Sequence, residues 1–197
     1  PLPPQEELEK LEKVFGYTYE DLKTIILPMA RDGMEPTGAM GIDSPIAVLS
    51  ERNQILYNYF KQLFAQVTNP PIDALREEII TATETYIGSI GNLIHPEPAD
   101  ARRLKLKYPI LSNQELERIR QITEPGFKAA TLPMFFAAGG DGRSLENAIE
   151  ALFDAADQAI TNGANIIILS DRDVSAALTP IPALLATSAL HHHLNRK

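Results

Sequence analysis

The chain has 197 residues, of which 44% are apolar and 22% charged, so it falls in the ordinary globular class and is long enough for one good-sized core. Its net charge of −8, with lysine and arginine scattered among more numerous acidic residues, disfavours nucleic acid as a partner. The absence of cysteine excludes disulfides, a thiol nucleophile and iron–sulfur ligation within this chain.

No segment predicts a membrane span or a signal peptide. The longest apolar run, around residues 166–169, is far shorter than the roughly 20 residues that cross a bilayer. Residues 1–13 are acidic and polar, whereas a signal peptide is basic and then apolar. We therefore expect no membrane partner and a location in the cytoplasm or in a plastid stroma.

The first residues predict two short helices. The stretch PQEELEKLEKVFG is amphipathic at helical spacing and ends at Gly16, a typical helix stop. Thr18 can cap a second helix, because its hydroxyl can accept a hydrogen bond from an exposed amide of the first turn. Pro28 and Gly33 are expected to end that second helix.

A loop, a short strand and a longer helix follow in the prediction. Residues 31–45 are rich in glycine and proline with little periodicity, which is typical of a loop. Residues 46–49 are expected to form a short strand. A helix is predicted over residues 53–67, because apolar side chains recur there at helical spacing. These side chains are Ile55, Leu56, Tyr59, Phe60, Leu63, Phe64 and Val67.

Beyond the proline pair NPPI, which cannot be helical, the sequence predicts one more short helix and an extended stretch. Asp73 can cap a helix over about residues 74–83, on which Leu75 and Ile79 are expected to be buried. Residues 86–108 contain several glycines and prolines and no sustained period. They are predicted to be an extended connection.

The second half alternates between strands and helices. A capping-box pattern at Ser112 opens a helix that ends near Gln121. A strand over residues 128–134, a helix over 145–161, a strand over 165–169 and a last helix over 182–194 then follow. The consecutive branched residues of the second strand favour a strand covered on both faces of a parallel sheet. The sequence thus predicts an α/β fold in which a helical N-terminal part precedes β-α-β units with parallel strands.

Two loops could carry chemistry, and a structural role is favoured for both. The GGDGR loop at residues 139–143 could hold a phosphate at a helix N-terminus, but it lacks dinucleotide-binding and P-loop spacing, which favours a turn. Residues 170–173, with the sequence SDRD, follow a strand at the edge where open α/β sheets bind ligands. Loop structure or a domain contact is favoured there over catalysis.

Three consecutive histidines, His191, His192 and His193, suggest a metal site or a purification tag, and neither fits. Consecutive helical residues point about 100° apart, so the three rings cannot converge on one ion. A tag would be longer and would stand at the chain end. Interaction with helix carbonyls or with a neighbouring domain is favoured. With little material for a hydrolytic triad, the residues predict a non-catalytic module.

Several strings in this sequence resemble the glutamate synthase large-subunit family, in the segment between its glutamine-hydrolysing domain and its flavin barrel. They occur in family order and span nearly the whole chain, and FKQLFAQVTNPPID is the most specific. The strings are FGYTYEDL at 15–22, EPTGAMGIDSPIAVLS at 35–50, YFKQLFAQVTNPPIDALRE at 59–77, PILSNQELERI, GANIIILSDRDVS and IPALLATSALHHHL at 181–194. The triple histidine belongs to this family pattern.

The resemblance implies a single connecting domain over residues 1–197, with residues 1–16 as a peripheral helix and a topology like an incomplete flavin-type barrel. The parent enzyme would make glutamate from glutamine and 2-oxoglutarate, with FMN and an iron–sulfur cluster held elsewhere. Its electrons would come from ferredoxin or a nicotinamide-dependent subunit. No catalytic, cofactor or metal residue is assigned to this chain. The interdomain-contact candidates are Gln62, Gln66, Asn69, Asp73, Arg76, Asp171, Arg172, His191, His192 and His193.

Two other functions stay open at the level of sequence. The chain could be a stand-alone α/β interaction module, or a flavin- or phosphate-binding domain of barrel type. A domain taken from between two neighbours should also expose apolar patches that those neighbours cover. Such patches would favour the connecting domain, whereas stoichiometric bound FMN would favour the flavin-binding domain.

Overall fold

The chain divides into two units, Pro1–Pro71 and Ile72–Lys197, in a computed structural model. The structure describes residues 3–36, 45, 47–51, 54–60, 71–88, 90–98 and 102–196. The described part of the first unit contains helices, and that of the second contains helices and strands. Each unit is described by itself below.

The two N-terminal helices form as predicted, with a difference at the proline. Helix α1 spans Gln5–Val14. Helix α2, Tyr19–Asp21, begins with a capping box in which the Thr18 hydroxyl accepts the Asp21 N–H at 3.2 Å, while the Asp21 carboxylate accepts the Thr18 N–H at 2.9 Å. A π-helical turn, Leu22–Ile26, leads into α3, Leu27–Asp32.

The expectation that Pro28 ends the second helix was wrong. Within the π-helical turn, the Leu27 N–H donates to the Leu22 carbonyl, five residues back. This wider turn precedes the proline, whose ring would clash with the carbonyl four residues earlier in a regular α-helix. The helical segment therefore continues to Gly33, where a left-handed conformation with φ of 61° ends it.

The remainder of the first unit departs from the prediction. The short strand expected over residues 46–49 is absent from its described part, where the Ser50 N–H donates to the Ala47 carbonyl at 3.0 Å and closes a turn. Leu56–Phe60 forms a 3₁₀ helix inside the helix predicted over residues 53–67. Residues 61–70 lie outside the described part of the chain.

The second unit begins with a short helix and a two-stranded ribbon. Helix α4 spans Ala74–Ile80 and is capped as predicted, since the Asp73 carboxylate accepts the Leu75 N–H at 2.9 Å. Strands β1, Thr85–Ile87, and β2, Leu104–Leu106, pair antiparallel with Tyr86 opposite Lys105. The prediction of an extended connection over residues 86–108 was therefore wrong where these two strands pair.

A β-α-β unit forms the centre of the second unit, as predicted. Strand β3, Ala129–Pro133, runs parallel to β5, Ile166–Ser170, and the 20-residue helix α6, Gly142–Thr161, connects them. Strand β4, Phe135–Ala137, was not predicted and pairs antiparallel with β6, Leu178–Pro180. Helices α5, Asn113–Arg120, and α7, Ala183–Arg196, complete the unit. The α/β class is confirmed, and the described strands form open two-stranded sheets that do not close into a barrel.

The hydrophobic core of the second unit lies between the β3–β5 sheet and helices α6 and α7. Ile167 and Leu169 of β5 pack against it. On the other face of the sheet Ile166 is buried, Ile168 is half-buried and Thr131 is exposed, so that face is only partly covered among the described residues. The buried core residues are Leu132, Met134, Leu152, Ala156, Ile181, Ala186 and Leu190.

The capping box of α5 gives the stability of the chain a pH dependence. The Glu115 carboxylate accepts the Ser112 N–H at 2.8 Å and the Ser112 hydroxyl at 2.7 Å. The backbone hydrogen bond from Ser112, followed by that of its hydroxyl, lowers the pKa of Glu115 below its ordinary value of 4.5. Because the pKa is lower in the folded chain, the stabilisation is fully present above pH 4.5 and is lost as the pH falls through the folded value.

We expect Glu115→Gln to lower the urea midpoint at neutral pH and to have a vanishing effect well below pH 4.5, where both chains carry a neutral side chain. Urea titrations followed by circular dichroism at both pH values measure this difference. Glu124→Gln, in the loop after α5, is the matched control and should leave the midpoint unchanged. A loss of stability with Glu115→Gln that is equal at both pH values would contradict the charge-dependent cap.

Candidate functional site

The candidates on and before α4 divide between the described and undescribed parts of the chain. Gln62, Gln66 and Asn69 lie outside the described residues. Asp73 serves as the N-cap of α4, and Arg76 is exposed on the first turn of that helix. The two described candidates, Asp73 and Arg76, therefore lie at the start of a helix that is capped by a side-chain hydrogen bond.

Helix α4 presents an apolar face to solvent. Leu75 and Ile79 are one helical turn apart and therefore share a face, and their exposed fractions are 87% and 79%. The expectation that these two residues are buried was wrong, because the apolar side of this short helix is not covered by the described residues. Ile72 and Ile80 at the two ends of the helix are exposed as well. We call Leu75 and Ile79 the α4 apolar face.

The loop after β5 is attached to α5. Arg172 donates from Nη2 to the side-chain oxygen of Asn113 at 2.8 Å, which connects this loop to the first residue of α5. Asp171 is half-buried at the same strand end. The Ser170 carbonyl accepts the Met134 N–H at 3.0 Å, so the strand end is also held from β3. These contacts support a structural role for the loop.

In the GGDGR loop, Asp141 caps the N-terminus of α6. The Asp141 carboxylate accepts the Arg143 N–H at 3.1 Å and caps α6. A bound phosphate would need the amides of this first turn and would meet the negative charge of Asp141. A Cβ atom added at Gly140 would also collide with the Ser144 side chain. The loop therefore does not fit the phosphate of a flavin mononucleotide.

The described contacts of the three histidines differ. His193 contacts both carboxylate oxygens of Asp157 through Nε2, at 3.1 and 3.0 Å, and its ring stacks on Phe153 with centroids 4.3 Å apart and planes at 6°. The His191 ring nitrogen instead accepts from Asn195 at 2.8 Å. A shallow pocket beside His193 is lined by Phe153, Ala189, His192, His193 and Arg196.

The position of His193 makes it a link between α7 and α6. Asp157 and Phe153 were not among the candidates of the sequence analysis. The sequence feature that could have identified them is their spacing of four residues, which places both on the same face of α6. The partner histidine lies 36 residues from Asp157, so only the packing of the two helices reveals the pair.

Removal of the His193 side chain is expected to cost about 1–2 kcal/mol of unfolding free energy, because it removes a ring stack and leaves the Asp157 carboxylate with one contact fewer. His191→Ala, at the exposed ring two residues away, is the matched control and should change the free energy by less than about 0.5 kcal/mol. Urea denaturation of the two variants measures this difference. Equal effects would contradict the linking role of His193.

Two further structural findings concern metals and membranes. Among the described residues, no group of three or more histidine, aspartate or glutamate side chains lies close enough to hold a metal ion. None of the helices in the described ranges is long and apolar enough to cross a bilayer. Without cysteine in the sequence, an iron–sulfur cluster would find no thiolate ligand in this chain.

A family model described as the glutamate synthase central domain matches residues 10–197. The chain belongs to the glutamate synthase central domain family. This range contains every string on which the resemblance was based, from FGYTYEDL to the triple histidine. The family assignment made from the sequence is thereby confirmed.

Curated relatives agree with this assignment. The chain is 48% identical over 186 residues to the NADPH glutamate synthase large chain of Bacillus subtilis, covering 94% of this chain and 12% of that protein. It is 43% identical to ferredoxin-dependent glutamate synthase 2 of Synechocystis, over 94% of this chain and 12% of the relative. It is also 43% identical to the chloroplastic ferredoxin-dependent enzyme of Spinacia oleracea, over 93% and 11%. The chain thus spans about one eighth of the length of these relatives.

Proposed function

We propose that this chain is the connecting domain of a glutamate synthase large chain, placed between a glutamine amidotransferase domain and a synthase barrel that carries FMN and an iron–sulfur cluster. Its contribution is geometric, since it holds two active sites apart and forms part of the wall of the internal ammonia route. The isolated chain has no activity of its own. The parent enzyme makes glutamate from glutamine and 2-oxoglutarate in the cytoplasm or in a plastid stroma.

The observation that carries this proposal is the amount of exposed apolar surface in the second unit. Besides the α4 apolar face, Leu93, Ile94 and Ile110 are all largely exposed, Ile110 at 86%. Isolated apolar residues on a surface are ordinary, but neighbouring exposed pairs such as Leu75 with Ile79 and Leu93 with Ile94 support a surface that another protein or domain covers. Each such side chain contributes roughly 1.5–3 kcal/mol when a neighbour buries it.

The chemistry of the chain supports binding of both cofactors elsewhere in the parent. The sequence lacks the thiolates that hold an iron–sulfur cluster. The Asp141 cap opposes a flavin phosphate at the N-terminus of α6. Electrons would reach the parent from ferredoxin or from a nicotinamide-dependent subunit, and the names of the relatives include both ferredoxin-dependent and NADPH enzymes.

The described interdomain-contact candidates also support this role, because some of their side chains are already fixed. Arg172 and His193 are each held by a side chain from another element, at 2.8 and 3.0 Å. Side chains fixed in this way lose little conformational entropy when a neighbouring domain docks on them. Asp73, at the start of α4, stands next to the apolar face that the neighbour would cover.

The test is reconstitution from three separately expressed parts: the amidotransferase domain, this chain and the synthase barrel. Glutamine-dependent glutamate formation should require the chain, whereas formation from added ammonia should not. Coupling that is equal with and without the chain would overturn the connecting role. Stoichiometric FMN in the purified chain would support a flavin-binding domain in its place.

A further inference from the structure

The ribbon of β1 and β2 carries a positively charged face on an otherwise acidic chain. Lys105 of β2 is exposed, while Leu104 and Leu106 are half-buried on the opposite face of the strand. Arg103 and Lys107 flank the strand on its two sides and are exposed as well. Tyr86 lies directly opposite Lys105 on the same exposed face. We call Arg103, Lys105, Lys107 and Tyr86 the basic ribbon face.

The cations of the basic ribbon face lie near aromatic rings. The Arg103 guanidinium lies 5.2 Å from the centre of the Tyr86 ring, and the Lys105 ammonium lies 6.0 Å from it. Gly88 lies beside Arg103 across the ribbon, where an added Cβ atom would contact the Arg103 Cγ atom at 3.4 Å. Lys107 lies 5.1 Å from the ring centre of Tyr108. At exposed sites such cation–π contacts contribute about 0.5–1 kcal/mol each and favour these positions of the charges.

Local carboxylates neutralise only part of this charge. Glu84 forms an ion pair with Lys105 at 2.8 Å and raises the pKa of that lysine, chiefly through their hydrogen bond. Among the described residues, Arg103 and Lys107 form no ion pair. Among the described residues, the ion pairs of this face thus involve one carboxylate for three cations, on a chain whose net charge is −8. Such a local excess of one sign points to a complementary partner.

The geometry points to an extended acidic protein segment as the partner, and we propose that the basic ribbon face docks such a segment from the remainder of the same large-chain polypeptide. Every second residue of a strand repeats at about 6.6–6.8 Å, so carboxylates on alternate residues of an extended segment match the three cations in register. In the described structure β2 pairs with β1 alone, and addition of an extended segment to a sheet edge is a common mode of peptide recognition. Tyrosine and arginine are also enriched in protein interfaces.

That the acidic segment comes from the same polypeptide rests on the proposed function. It also rests on the length of the relatives, since this chain spans only 12% of the Bacillus subtilis large chain. A protein segment is favoured over nucleic acid because an extended polypeptide can also pair with a sheet edge through backbone hydrogen bonds. The docking of an acidic segment and the coupling of two active sites are separate properties, so either can fail while the other holds.

A short synthetic peptide that alternates threonine and glutamate tests the proposal. It should bind this chain, and binding should weaken as salt is added, whereas a peptide with glutamine in place of glutamate should bind at least about tenfold more weakly. The double change Arg103→Glu with Lys107→Glu should likewise weaken binding at least about tenfold. The matched control is Lys10→Glu with Lys13→Glu on α1, which changes the net charge equally and should leave binding unchanged. Circular dichroism checks that both variants fold.

Three outcomes would overturn the inference. The first is equal binding of the two peptides, and the second is equal weakening by both double variants. The third is tighter binding of a short single-stranded DNA than of the acidic peptide, with the same dependence on Arg103 and Lys107. The source is tested on a full-length large chain that contains this segment, where the filled face should not bind the peptide. If the peptide binds the full-length large chain as tightly as it binds this chain, the basic ribbon face is free there. The partner would then be a separate protein and not a segment of the same polypeptide.

Discussion

Replacing Ile181 with alanine is expected to destabilise the second unit by about 3 kcal/mol, within the range of about 2–5 kcal/mol found when a buried branched side chain is truncated in a core. Ile181 is 1% exposed and belongs to the cluster between the β3–β5 sheet, α6 and α7. Its N–H donates to the Met134 carbonyl at 2.9 Å, which keeps the backbone in place after truncation and favours an unfilled cavity. Urea denaturation followed by circular dichroism should show a lower midpoint with an unchanged slope.

The same substitution at an exposed position provides the control. Ile110 is 86% exposed, so Ile110→Ala should change the free energy of unfolding by less than about 0.5 kcal/mol. Both variants remove the same atoms from an isoleucine, so their difference measures burial alone. Similar losses at the two positions would contradict the placement of the core between the sheet and the two helices.

The parts of the fold that were predicted correctly depend on local signals. The hydroxyl cap predicted at Thr18 and the capping box predicted at Ser112 involve residues only three apart, and both form in the structure. Helix α6 has 20 residues, long enough for its 3.6-residue period to be unambiguous. The branched run in β5 and the helix before it then predicted the parallel pairing with β3.

The elements that were missed depend on pairing between distant residues. Strands β1, β2, β4 and β6 have three residues each, too few for a recognisable alternation. Pro180 within β6 also argues against a strand by composition, although a proline is tolerated at the edge of a sheet. At residues 46–49 the reverse occurred, because an apolar run without a paired strand forms a turn in its described part.

In the candidate site, too, local features were predicted and contacts between distant residues were not. The sequence placed Arg172 and His193 at the ends of elements, which was correct, but their partners Asn113 and Asp157 come from other helices. The apolar pattern of α4 identified a face without identifying what covers it. Periodicity reports which side of a helix is apolar, whereas burial also depends on a neighbour that lies outside this chain in the proposed function.

The α4 apolar face is expected to be an anchor of the interdomain interface. Changing Leu75 and Ile79 together to serine should weaken binding of this chain to the separately expressed neighbouring domains by about 30-fold or more. This is the loss expected when the two anchor residues together contribute at least about 2 kcal/mol of binding free energy. Because both side chains are largely exposed, the stability of the isolated chain should change little. Titration calorimetry against the amidotransferase domain and the synthase barrel measures the loss of affinity.

The matched control for this face is Glu77→Ser, since Glu77 lies about 200° around the same helix from Leu75 and points away from the apolar face. It should leave binding unchanged. Analytical ultracentrifugation gives a second readout: any self-association of the isolated chain through the α4 apolar face should decrease in the serine variant and persist in the control. If the double variant binds both domains as tightly as the unmodified chain, α4 is not a docking helix. The exposed side chains of Leu93, Ile94 and Ile110 would then be the next candidates to anchor a neighbour.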